Sequence, residues 1–96
     1  MRYKPKVVLQ TPVSSAAALA DFVEDCLRDG VELIAVCGEG CEDVHDLIDD
    51  LIVGDGSEEK RFIATSWHTG ELLDEVLDFA DIYGAGGSGA VQVVTL

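Results

Sequence analysis

The stretch that decides the fold of this chain is "VELIAVCGEGCEDVHDLIDDLI", residues 31–52. It begins with an apolar run that is typical of a buried strand, and it then turns at Gly38 and Gly40. After the turn the apolar residues recur at helical spacing and form one stripe: Val44, Leu47, Ile48, Leu51 and Ile52. The stretch therefore predicts a strand, a glycine turn and an amphipathic helix.

The rest of the chain repeats this alternation of strand and helix. Three more β-rich segments are "KVVLQ" (6–10), "RFIATSW" (61–67) and "AVQVVTL" (90–96). Two more segments have helical period, one from about Ser14 to Asp29 with Gly30 as its stop, and one that ends near Tyr83. Strict alternation favours parallel strands joined by right-handed crossovers. We predict a single α/β domain over residues 1–96, with a small three-layer, mostly parallel four-stranded sheet of flavodoxin-like or Rossmann-like type.

The strand order is less directly encoded than the strands themselves. We expect the first strand to be central and the last to lie at an edge, because Gln92 and Thr95 interrupt its apolar residues. The predicted order is 2-1-3-4. A last strand that pairs antiparallel is the main alternative.

Composition limits the partners of the domain. A net charge of −13 on 96 residues repels nucleic acid and anionic membrane surfaces. The first twenty residues imitate a secretory signal, but Gln10, Thr11 and Pro12 leave too short an apolar segment. Three cysteines cannot form a complete disulfide framework, which favours a reducing cytoplasm. We expect a cytoplasmic protein without nucleic-acid or membrane partners.

A ligand site in a parallel sheet lies outside the carboxyl ends of the strands. Three segments meet there: "QTPVSS" (10–15), "CGEGCE" (37–42) and "SWHTGE" (66–71). The candidate ligand-binding residues are Thr11, Ser14, Cys37, Glu39, Cys41, Trp67 and His68. The six cations of the chain are instead predicted near the amino-end edge: Arg2, Lys4, Lys6, Arg28, Lys60 and Arg61. Because carboxylates dominate the carboxyl-end edge, phosphate-bearing ligands are disfavoured.

A glycine run at residues 84–89, "GAGGSG", has the spelling of a dinucleotide-binding motif. That motif requires a strand before it and a helix after it, and here the order is reversed. The first strand-to-helix turn contains no glycine. We therefore predict no nucleotide and no other cofactor.

The cysteine turn admits two chemical hypotheses. Cys37 at a strand end, with His68 on a neighbouring loop, could form a nucleophile–base pair of a small thiol-dependent enzyme. Cys37, Cys41, His45 and His68 could instead bind zinc. The spacing differs from that of common zinc motifs, and the helix has an apolar stripe with which to fold unaided. We predict no metal site.

Four segments resemble an uncharacterised family of small bacterial proteins, a domain of unknown function. They are "VVLQTPVS" (7–14), "CGEGC" (37–41), "FIATSWH" (62–68) and "ELLDEVLDFA" (71–80). The resemblance extends over about residues 7–96 and supports the sheet, but it implies no activity, cofactor or catalytic residue. The leading functional hypothesis is a non-enzymatic binding or protein-interaction module of the cytoplasm. It would bind another protein, or itself as a homodimer through an apolar edge strand.

Overall fold

The computed structural model describes residues 2–54, 56, 61–83 and 91–96. Its strands are β1 (Lys6–Thr11), β2 (Leu33–Gly38), β3 (Ala64–His68) and β4 (Val91–Thr95). Its helices are α1 (Ala16–Asp29), α2 (Cys41–Val53) and α3 (Leu73–Ile82). Strands and helices alternate along the chain, which confirms the predicted α/β class. The glycine run at 84–89 lies outside the described residues.

The four strands form one parallel sheet in the order β3-β2-β1-β4. The central β1 and the edge position of β4 are as predicted, and β4 is parallel. The predicted order 2-1-3-4 is wrong, because β2 is an interior strand and β3 is the second edge. The side chains explain this arrangement: residues 33–37 of β2 are all buried, while β3 has the polar sequence "ATSWH". The observed order is that of the first four strands of the Rossmann sheet.

Helices cover both faces of the sheet and give three layers. On one face, called here the α1/α2 face, Phe22 of α1 and Ile48 of α2 pack on Val7 and Ile34. On the other, the α3 face, Val76 packs in a cluster that includes Cys37. The strands supply both clusters because consecutive side chains point to opposite faces. Burial of each large apolar side chain contributes roughly 1.5–3 kcal/mol.

The helix ends agree with the sequence patterns, with small differences. Ser15, rather than Ser14, caps α1 by accepting the N–H of Ala18 through its hydroxyl. Gly30 ends α1 in the left-handed conformation. Leu47, which belongs to the predicted apolar stripe of α2, is 50% exposed, and Leu72, which precedes α3, is 70% exposed. No helix in the described residues is both long and apolar enough to cross a bilayer.

The amino-terminal segment is fastened to the end of α1 by one carboxylate. Asp29 accepts the backbone N–H groups of Arg2 (2.6 Å) and Tyr3 (3.0 Å) and forms an ion pair with Arg28 at 3.5 Å. Tyr3 in turn packs edge-on against Phe22, with ring centroids 5.2 Å apart. The two backbone hydrogen bonds, with help from the Arg28 charge, lower the pKa of Asp29.

We expect Asp29→Asn to destabilise the domain at pH 7 by loosening the amino-terminal segment. A carboxylate with a lowered pKa stabilises the fold above its unfolded-state pKa of about 3.9, and that contribution is lost as the pH falls further. The difference between wild type and variant should therefore shrink from pH 7 to pH 3, as measured by urea unfolding. Asp21→Asn, at an exposed position of α1, is the control. Equal effects of the two variants would contradict the fastening role.

Candidate functional site

The carboxyl ends of the strands bring the first two predicted loops into direct contact. The Oγ1 hydroxyl of Thr11 donates to the carbonyl oxygens of Cys37 (3.1 Å) and Glu39 (2.5 Å). Gly38 lies in that contact with a φ of 104°, and a Cβ atom there would be 2.7 Å from the Thr11 carbonyl oxygen. The end of β1 therefore holds the turn that leads from β2 into α2.

The third predicted loop completes a cleft at the same edge. The cleft has a volume of about 570 Å³ and is lined by residues 38–43 and 69–71. Four of its lining residues carry carboxylates: Glu39, Glu42, Asp43 and Glu71. These segments contain no Lys or Arg. The cleft is thus acidic, as the sequence predicted for this edge.

The arginines are engaged at the opposite end of the sheet. Arg2 and Arg28 form ion pairs with Asp25, and Arg61 binds Glu24 through two hydrogen bonds of 2.6 and 3.0 Å. The bidentate contact with Arg61 lowers the pKa of Glu24. The positive charges of the arginines are therefore compensated by carboxylates of α1, and these arginines do not compensate the carboxylates of the cleft.

The three cysteines are free and buried. Cys37 lies on the α3 face, where burial, together with the neighbouring Cys41, raises its pKa. Cys41 is the first residue of α2, and its Sγ atom is 3.5 Å from the hydroxyl of Thr69. Both residues are near the cleft, as the sequence predicted, but their thiols are covered by the protein.

On the α1/α2 face, His45 fastens β3 to helix α2. Its Nε2 atom is 3.0 Å from the Thr65 hydroxyl, which also donates to Asp49 at 2.6 Å. Its ring packs on Trp67, with centroids 4.7 Å apart. His45 itself is buried. Strand alternation turns Trp67 toward α2.

On the α3 face, His68 is the centre of a second hydrogen-bonded group. Its Nε2 atom is 2.9 Å from Ser66 Oγ, and its Nδ1 atom is 2.9 Å from Glu71 Oε2. Its ring packs on Phe79, with centroids 4.7 Å apart. An ionised carboxylate can only accept, so Nδ1 carries a proton, and in the neutral tautomer with that proton Nε2 accepts from the Ser66 hydroxyl. We call Ser66, His68 and Glu71 the Ser66 relay.

His68 is among the site residues predicted from the sequence, and its two partners are not. Ser66 could have been found, because residues two apart on a strand share a face. Glu71 follows a turn at Thr69 and Gly70, and its return toward His68 depends on the backbone of that turn, where Gly70 has a φ of 77°. No local pattern in the sequence specifies that return.

These contacts bear on the two hypotheses for the cysteine turn. Cys37 and His68 are register neighbours on β2 and β3, but both ring nitrogens of His68 are directed at other residues. His45 and His68 lie on opposite faces of β3, so the four proposed zinc ligands do not converge. Within the described residues, no group of His, Cys, Asp and Glu side chains is arranged to hold a metal ion.

Ser14 is a predicted candidate that does not line the cleft. Its backbone N–H donates to the carbonyl of Leu96, directly after β4. It therefore belongs to the β1–β4 side of the edge. The cleft lies instead between the loops that follow β2 and β3.

The open edge of β3 is the other distinctive surface. The N–H of Ala64 donates to the carbonyl oxygen of Glu32, in the segment before β2. Backbone groups alternate in direction along a parallel strand, so the N–H and C=O groups of Thr65 and Trp67 point away from β2 and the sheet. Trp67 is 47% exposed beside these groups, and Phe62, just before the strand, is 75% exposed.

Fold and site define a class: a small parallel α/β domain of Rossmann-like strand order, with an acidic carboxyl-end cleft and an aromatic edge strand. The chain belongs to the family described as a domain of unknown function (DUF7684), which it matches over residues 2–95. Neither the comparison with curated proteins nor that with solved structures gave a match.

Proposed function

We propose that this domain is a protein-interaction module and that the open edge of β3 is its binding surface. The observation that carries the proposal is the exposed aromatic residue on an edge strand. The Trp67 side chain is half-exposed, and beside it the backbone groups of Thr65 and Trp67 face outward. A partner strand that pairs with such an edge gains main-chain hydrogen bonds, and aromatic side chains supply much of the binding energy at interfaces.

The rigidity of β3 supports this assignment. His45 and Asp49 hold Thr65 from one face, and His68 holds Ser66 from the other. An edge strand that is already ordered costs less conformational entropy on binding than one that must be ordered first. Both faces of β3 are thus fixed in advance, while its edge stays open.

The charge of the domain specifies the kind of partner. Asp46, Asp49 and Glu71 lie close to β3, and the whole chain carries a net charge of −13. A basic, extended segment with apolar residues complements this surface, whereas an acidic segment is repelled. We therefore assign the β3 edge to a basic strand of another protein.

Self-association is a separate part of the proposal. The sheet has its second edge at β4, whose residues Val91–Thr95 carry no charge. Two copies could pair there without bringing charged strands together, and we propose a homodimer through β4. Sedimentation that shows a monomer at high concentration would contradict the proposed dimer.

A cytoplasmic location and a bacterial origin complete the proposal. The cytoplasmic location is supported by the three free thiols.

A pair of synthetic peptides tests the binding surface. We expect a ten-residue peptide of alternating Lys and Val to bind and to shift the amide resonances of residues 64–68, while an alternating Glu and Val peptide does not bind. Trp67→Ala should weaken binding of the basic peptide by about tenfold or more, as expected for an interface aromatic. Titration calorimetry gives the affinities.

Val93→Ala is the matched control, because Val93 is exposed on the opposite edge strand. It should leave the affinity for the basic peptide unchanged. Equal binding of the two peptides, or amide shifts confined to β4, would overturn the assignment of the β3 edge.

A further inference from the structure

The Ser66 relay has the order of contacts that activates a serine for acyl transfer. A hydroxyl contacts Nε2 of an imidazole, and Nδ1 of the same ring donates to a carboxylate, which leaves Nε2 of the neutral form as the acceptor. Both distances are 2.9 Å, within the range at which a general base can take a proton from a nucleophile. We propose that Ser66 is the nucleophile of an acyl-transfer site, with His68 as its base and Glu71 as the residue that orients His68.

A similar group on the opposite face differs in one contact, because its hydroxyl has a carboxylate as a second partner. There the Thr65 hydroxyl donates to Asp49 at 2.6 Å, so its proton is directed away from His45. His45 Nε2 lies 3.0 Å from the same hydroxyl, and His45 Nδ1 lies 3.1 Å from a carboxylate oxygen of Asp46. The Thr65 proton is therefore directed to a carboxylate, whereas the described side-chain contact of Ser66 Oγ is with the imidazole of His68.

The surroundings of the relay suit its three roles. His68 is buried against Phe79, which fixes the ring, while Glu71 is 42% exposed at the rim of the cleft. Ser66 is half-buried on an edge strand, so a substrate can approach from the side of the sheet. The N–H of Trp67 is turned away from β2 and provides a hydrogen-bond donor directly after the nucleophile, where acyl-transfer enzymes place one.

The reaction that these groups can perform is the hydrolysis of a carboxylic ester. Ser66 Oγ bonds to the carbonyl carbon as its proton passes to His68 Nε2, and the alcohol then leaves with that proton. Water adds to the acyl carbon and gives a proton to His68, which returns it to Ser66 as the carboxylic acid departs. Glu39, Glu42 and Asp43 at the same edge repel anions, so the substrate class is neutral or cationic esters.

A fluorophosphonate probe tests the nucleophile directly, because an activated serine displaces its fluoride and forms a stable phosphonyl ester. We expect one adduct per chain, located on Ser66 by peptide mass spectrometry. Ser66→Ala should abolish it. Glu71→Gln should slow labelling by about a hundredfold, the scale of a lost general-base contribution. The melting temperature of this variant should stay well above the labelling temperature, so that the protein is folded during the assay.

Two controls keep the outcome decisive. Ser14→Ala removes an exposed serine outside the relay and should not change the labelling rate. Ser66→Ala keeps the backbone and the Trp67 side chain with which the basic peptide is proposed to pair, so loss of labelling with retained peptide binding separates this proposal from the interaction module. No adduct on folded wild-type protein, or labelling of Ser66 that Glu71→Gln leaves unchanged, overturns the proposal.

Discussion

Gly38→Ala is expected to lower the free energy of unfolding by about 2–5 kcal/mol, the sum of a left-handed backbone penalty and an overpacking penalty. The φ of Gly38 is 104°, which L side chains rarely adopt. An added Cβ would also lie 2.7 Å from the Thr11 carbonyl oxygen and 2.9 Å from its Oγ1 atom. The first of these is a backbone atom of the central strand and cannot move aside cheaply.

Gly40→Ala is the control for that substitution. Gly40 has a φ of 72° in the same turn, but a Cβ there meets nothing within 4 Å. Only the backbone penalty applies, so we expect a loss of about 1–2 kcal/mol. Urea unfolding of both variants separates steric contact from conformational strain. A Gly38→Ala variant no less stable than Gly40→Ala would show that the Thr11 contact does not constrain the turn.

The fold could be predicted from the sequence to the level of element type and pairing direction. Hydrophobic period identified every strand and helix that the structure describes, and strict alternation predicted parallel strands. The predicted strand order 2-1-3-4 is wrong, because order depends on which strand is buried on both faces. The unbroken apolar run 33–37 and the polar "ATSWH" of β3 contain that information.

Only the location of the candidate site could be predicted from the sequence, and not the arrangement of its side chains. The rule that ligands bind at the carboxyl ends of parallel strands correctly located the loops of Cys37 and His68 at one edge. It did not reveal on which face of β3 each side chain lies, since that requires knowing which helices cover which face. The Ser66 relay also depends on a turn whose geometry no residue pattern specifies.

The order of the sheet also separates the cleft from the site that the fold alone would suggest. In Rossmann-like sheets the strand order reverses beside β1, and ligands commonly bind in the crevice at that point. Here that point lies between β1 and β4, where Ser14 contacts Leu96. The cleft lies between the loops after β2 and β3 instead. Its acidic lining and its position both differ from those of a dinucleotide site.

The second large effect concerns the Cys26 thiol, which we expect to be protected from reagents by more than a thousandfold in the native protein. Cys26 is fully buried, and burial, followed by the charges of Asp29 and Asp25, raises its pKa to about 12. Relative to an ordinary pKa of 9.0, the reactive thiolate is then about a thousandfold scarcer at pH 8. Burial adds steric protection to this chemical factor.

Cys37 decides between this expectation and the alternative of a thiol-dependent enzyme. Burial raises its pKa as well, and His68 is occupied by Ser66 and Glu71, so no base is directed at the Cys37 thiol. We therefore expect Ellman's reagent at pH 8 to find almost no reactive thiol in the folded protein and three per chain in urea. The labelling rate in low urea should follow the unfolding transition. Rapid native labelling confined to Cys37, with a rate that is already maximal near pH 7, would instead identify an activated thiolate and restore the enzyme hypothesis.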